Sequence, residues 1–108
     1  MLINKILALS LLCFGGNALA GTIEMQVNGL VCGFCAQGIE KTLRKNPATA
    51  DVFVSLETRL VAIATKDGKD IADNELRKAL TNSGYDVKGI ARTQNSLASL
   101  REQAAKAK

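Results

Sequence analysis

Histidine and tryptophan are absent from the sequence, which has one proline (Pro47), one tyrosine (Tyr85) and three phenylalanines. Each shortage removes a class of function. A closed structural zinc site takes four ligands, usually cysteine and histidine, and three cysteines without a histidine do not complete one. Nucleic acid is gripped by clustered cations and stacking rings. Here rings are scarce and the basic residues alternate with acids, as in Asp67-Gly68-Lys69-Asp70 and Glu75-Leu76-Arg77-Lys78. The formal charge of +4 therefore describes a mixed, solvated surface, and no nucleic-acid partner is expected. Beyond residue 20 no stretch is apolar enough to span a bilayer, which takes about 20 residues.

One apolar run lies at the N-terminus, and it too is short of a permanent membrane helix. Lys5 precedes the segment from Ile6 to Phe14, and Gly15-Gly16-Asn17 leads to Ala18-Leu19-Ala20, a small-x-small cleavage pattern ahead of Gly21. Residues 1–20 read as a cleavable signal peptide, which puts the mature chain in the periplasm and leaves it outside the membrane. Cys13 falls in that segment, and the large Leu12 before it argues against lipidation. The remainder, fewer than ninety residues, makes one domain too small for a large catalytic cleft. A monomeric binding protein, not an enzyme, is expected.

Hydrophobic periodicity then lays out the elements. Thr22 to Asn28 alternates with Ile23, Met25 and Val27 inward, a strand. Gly29 to Phe34 is a loop, and Cys35, Ile39 and Leu43 place one apolar stripe on a helix over about 33–46, closed by Asn46-Pro47. Val52, Val54 and Leu56 alternate on a second strand, Glu57-Thr58-Arg59 turns, and Leu60 to Thr65 returns as a third. Asp70 or Asp73 is placed to cap a second helix carrying Leu76, Ala79 and Leu80 inward, and Gly84 to stop it. Tyr85 to Ile90 gives a fourth strand. The order βαββαβ predicts an α+β, ferredoxin-like fold, a four-stranded antiparallel sheet with two helices on one face. The domain is drawn at 21–91 and a tail at 92–108. In that tail Leu97, Leu100 and Ala104 recur at helical spacing, so it is a short helix or a frayed end.

Once the leader is removed, Cys32 and Cys35 are the only cysteines. A Cys-x-x-Cys pair where a strand hands over to a helix turns both sulfurs toward one point, and the exposed amides of the helix N-terminus favour thiolate over thiol. Thiolates are soft donors and select Cu(I), or Hg(II) by extension, over calcium or magnesium. With Val31, Gly33 and Phe34 beside the cysteines no carboxylate is at hand to complete a zinc tetrahedron, so zinc is disfavoured. A two-coordinate bis-thiolate ion fits better, and it stays open to a third thiolate from a partner.

Gly29-Leu30-Val31-Cys32-Gly33-Phe34-Cys35 resembles the Gly-Met-x-Cys-x-x-Cys loop of heavy-metal-associated domains, and Ser83-Gly84-Tyr85-Asp86-Val87 resembles their segment after helix two. With a signal peptide in front, the plan is similar to that of the family's periplasmic mercury-scavenging members. The resemblance implies metal held by Cys32 and Cys35, with Gly29, Leu30, Phe34 and Tyr85 around the ion. It also implies a membrane metal transporter or other thiol-bearing acceptor as partner. Leu30 stands where the family has methionine, which keeps an apolar plug but removes a thioether. Phe34 replaces a small residue and is placed to shield the ion or to select partners. Tyr85 either polarises the sulfurs through its hydroxyl or closes the edge of the core.

Two rivals use the same cysteines. A disulfide across two intervening residues closes too small a loop to stabilise a fold much. A thiol–disulfide redox protein is the sharper alternative, but thioredoxin-like proteins set a tryptophan before the motif and a cis-proline facing it, and here Pro47 ends a helix. A last expectation concerns the sheet face away from the helices. Alternation turns Phe53 and Ser55 outward on one strand and Leu60, Ala62 and Ala64 outward on the next, an apolar patch that the tail covers, or that pairs with a second copy, or that stays exposed beside a disordered tail.

Overall fold

The computed structural model describes residues 21–30 and 32–107; the expected signal peptide, with Cys13, lies outside the described residues. The elements run β1 (Thr22–Asn28), α1 (Gly33–Arg44), β2 (Thr49–Ser55), β3 (Leu60–Thr65), α2 (Asp73–Asn82), β4 (Asp86–Thr93) and α3 (Leu97–Lys106). The strands pair antiparallel in the order β2-β3-β1-β4, the expected ferredoxin-like sheet. Alternation sorts the two faces as anticipated. Ile23, Met25, Val27, Val52, Val61 and Ile63 join Ile39 and Leu43 of α1 and Leu76 and Leu80 of α2 in one buried core.

The boundaries of three elements differ from the sequence expectation. Helix α1 ends at Arg44, not at residue 46. Asn46 instead accepts a bond from the Ala48 N–H on its side-chain oxygen, at 2.9 Å, and that local turn pulls it out of the helix. Neither Asp70 nor Asp73 caps α2, whose N-cap is Ala72 with no side-chain bond. Both carboxylates are taken by Arg92, which also donates to the Ile71 carbonyl at 2.6 Å and so ties the loop before α2 to the far end of β4. Strand β4 begins at Asp86 and runs three residues past Ile90, because Thr93 still pairs with Thr22 and its hydroxyl donates to Glu24 at 2.6 Å. The end of α2 is as read. Gly84 is left-handed (φ +92°), and the bonds from its N–H to Thr81 and from Tyr85 to Leu80 form a Schellman closure.

The tail is a helix, and it is docked. Ser96 caps α3 by accepting from the Ser99 N–H, and Leu97 and Leu100 bury Leu60 and Ala62 with Phe53 and Ala64 alongside, on the face opposite α1 and α2. The sheet is therefore covered on both sides. Asp51 at the edge of β2 links the layers, accepting from Arg44 of α1 at 2.9 Å and from Arg101 of α3 at 3.4 Å, while the Arg101 guanidinium lies 5.3 Å from the centre of the Phe53 ring. The Arg44 guanidinium first, then the Val52 N–H and Arg101, hold the Asp51 carboxyl below the usual carboxylate range. Being half-exposed, these pairs contribute at most about 1 kcal/mol; the leucines carry the docking.

Removing residues 94–108 is expected to lower stability in urea by about 1–3 kcal/mol, the burial of two leucines less the entropy of ordering the tail. An unchanged midpoint would mean that α3 contributes nothing. Because the folded Asp51 pKa is depressed, its contribution is complete above the ordinary carboxylate pKa and is lost as pH falls through the lower folded value. Carbon NMR titration should find Asp51 below 3.8 in the wild type, and higher in Arg44→Ala than in Arg101→Ala.

Candidate metal centre

The cysteine loop is built by β1 ending and α1 starting within a few residues. Gly29 makes the bend with φ +91°, and Leu30 turns into the core, 1% exposed, beneath the loop. This is the apolar plug expected of that position. Cys32 is extended and serves as the N-cap of α1. Its Sγ accepts from the Cys35 N–H at 3.1 Å, and its carbonyl accepts from the Ala36 N–H at 3.1 Å. One sulfur thus sits at the cap and the other in the first turn, and both residues are partly buried. The first turn holds no acidic residue, so nothing there competes for the free amides.

The two sulfurs are joined as a disulfide, with Cα atoms 5.2 Å apart. A pair close enough to bond is also close enough for one soft ion to bridge after reduction, with a modest opening of the sulfurs. Among the described residues no group of three or more histidine, cysteine or acidic side chains is placed to hold a metal. Two thiolates, taken as a donor set, would suit a soft ion of low coordination number.

The remaining expected residues divide. The Tyr85 ring packs toward the core and against Gly29, where its Cδ1 would lie 3.5 Å from a Cβ added to that glycine, so it supports the loop from below. Phe34 does not shield the sulfurs. It is 85% exposed, its ring standing in solvent beside Cys35. Sequence reasoning missed a groove of about 270 Å³ that begins at Cys35, runs along Gly38, Ile39 and Thr42 of α1, and is closed opposite by Ser83 and Tyr85. Its signal was present, because positions 35, 38, 39 and 42 share one helical face.

This order of elements around a Cys-x-x-Cys loop agrees with a family match, in which residues 24–86 fit the heavy-metal-associated domain. The chain belongs to the heavy-metal-associated domain family. Among relatives in that family, copper chaperone CopZ of Staphylococcus aureus (strain JH9) is 30% identical over 63 residues, 58% of this chain and 91% of CopZ. Copper-transporting ATPase 1 of Rhizobium meliloti (strain 1021) is 34% identical over 65 residues, 60% of this chain but 8% of that protein. Oxidised MerP from Ralstonia metallidurans CH34 superposes with a TM-score of 0.55 at 29% identity, over 65% of this chain and 99% of MerP. Helix α3 lies outside the residues that the heavy-metal-associated domain matches.

Because an L-residue other than glycine is strained at the conformation of Gly29, Gly29→Ala is expected to cost about 1–2 kcal/mol. Gly33→Ala, where φ is not positive and an added Cβ meets nothing within 4 Å, should be close to neutral. Equal urea midpoints for both variants would show that the loop does not depend on the left-handed bend.

Proposed function

We propose that the protein is an exported soft-metal carrier, a scavenger or metallochaperone, in which the Cys32 and Cys35 thiolates hold one Cu(I) or Hg(II) ion and pass it to a thiol-bearing acceptor such as a membrane metal transporter. The observation that carries this reading is the sulfur pair, one at the cap and one in the first turn of α1, at the surface and without a third ligand group among the described residues. Membership of the heavy-metal-associated family and the likeness to proteins described as CopZ and MerP support it. Export rests on the leader-like pattern of residues 1–20; the domain boundary expected at 91 moves to Thr93, the end of β4, which leaves 94–108 as the appended tail.

Transfer follows from low coordination. Two thiolates leave an ion open to attack, so an incoming thiolate binds before either cysteine lets go, and the ion is never released to water. Zinc prefers four ligands and would be held weakly. The disulfide sets a condition on uptake. Two electrons and two protons convert it to two thiols, which lose their protons as metal binds.

That same disulfide favours a second reading, a thiol–disulfide redox protein, and the two are separable. The reduced carrier should bind one Cu(I) or Hg(II) per chain, lose it in Cys32→Ser and in Cys35→Ser, and protect both thiols from alkylation when loaded. Normal affinity in both single variants would sink the site. Repeated turnover of disulfide substrates well above the rate of a free dithiol, with no metal protection, would establish the redox reading instead.

A further inference from the structure

The groove beside Cys35 has no task in holding a bare ion between two sulfurs, and its chemistry differs from the rest of the surface. It begins at a thiol-bearing residue, Ile39 and the Tyr85 ring line it beside Thr42 and Ser83, the exposed Phe34 stands at its mouth, and no charged side chain borders it. Gly38 leaves its floor bare, since an added Cβ there would meet nothing within 4 Å. An apolar cavity of about 150 Å³ accepts benzene, so about 270 Å³ is ample for one ring.

Such a groove asks for an uncharged apolar group delivered by something that binds sulfur. We propose that it is a subsite for the organic group of a soft-metal cation bearing one such substituent, an aryl- or alkylmercury cation, with Cys35 as the sulfur that takes the metal. The proposal rests on the soft-metal reading of the cysteine pair. Charge decides in favour of this ligand, because one thiolate cancels the single positive charge of R–Hg⁺ and leaves a neutral adduct for a groove with no counter-charge. The Cys35 lone pair forms the S–Hg bond and the departing anion leaves with its own electron pair. The Hg–C bond stays intact and nothing is oxidised or reduced. Cys32 remains free as a second thiolate.

The test compares phenylmercury with methylmercury on the reduced protein, each in competition with free cysteine. Both form the same S–Hg bond, so the ratio of their affinities isolates the organic group. The protein should favour phenyl over methyl by about tenfold more than free cysteine does, with proton NMR contacts from the phenyl ring to Ile39 and Tyr85. Gly38→Leu fills the groove and improves helix propensity. It should abolish that extra preference while Hg(II) binding by the two thiolates is unchanged. A wild-type ratio equal to that of free cysteine, or a preference that survives Gly38→Leu, overturns the subsite and leaves the groove to a partner's side chain. A reduced pair that binds neither Hg(II) nor Cu(I) overturns the carrier reading itself, which the bare-ion titration alone reveals.

Discussion

The burial of Leu30 beneath the cysteine loop is the contact on which the geometry of the site rests. It lies between Gly29, which must be left-handed, and the N-cap position of Cys32, so one apolar side chain anchors the turn from β1 into α1. With Leu30 held, the first turn of α1 starts at one place, and the amides that meet the Cys32 sulfur are set by the helix. Tyr85 supports the same bend, its ring against Gly29. Cys32 and Cys35 are partly buried, and their backbone is positioned by the start of α1 and by Leu30 beneath it. Reactive groups stay reachable while their separation is held.

The additional helix changes the physics of the sheet without approaching the cysteines. In a two-layer ferredoxin-like domain one sheet face meets water, and apolar residues there are a liability. Here Phe53, Leu60, Ala62 and Ala64 would be such a patch, and Leu97 and Leu100 cover it. Asp51 spans the edge from α1 to α3, so the two outer layers share one carboxylate. The helix thus gives a small domain a second hydrophobic cluster, and surface-to-volume scaling makes that a substantial addition at this chain length.

Much of this was legible before any coordinates. Period-two alternation identified β1, β2 and β3, and even the outward set Phe53, Leu60 and Ala62, because a strand buried on one face has no other register. Positions where a side chain can serve more than one partner were not legible. Asp70 and Asp73 looked like helix caps since capping is local, but Arg92 arrives from β4 across the fold and takes both. Asn46 looked like the last helical residue, and its amide oxygen found the Ala48 N–H instead.

At the site the division is the same. The Cys-x-x-Cys spacing, the strand before it and the helix after it were enough to determine the chemistry, soft donors at a helix start, because those relations act within a few residues. The sequence pattern also offered three fates for the tail, and local rules could not choose among them. Only the tertiary structure did so, by setting α3 against the outer face, turning Phe34 out to solvent and bringing Ser83 and Tyr85 opposite α1 to make a groove. Those outcomes depend on contacts between residues more than thirty positions apart, where the favourable term is the apolar surface that remains once the main core has closed.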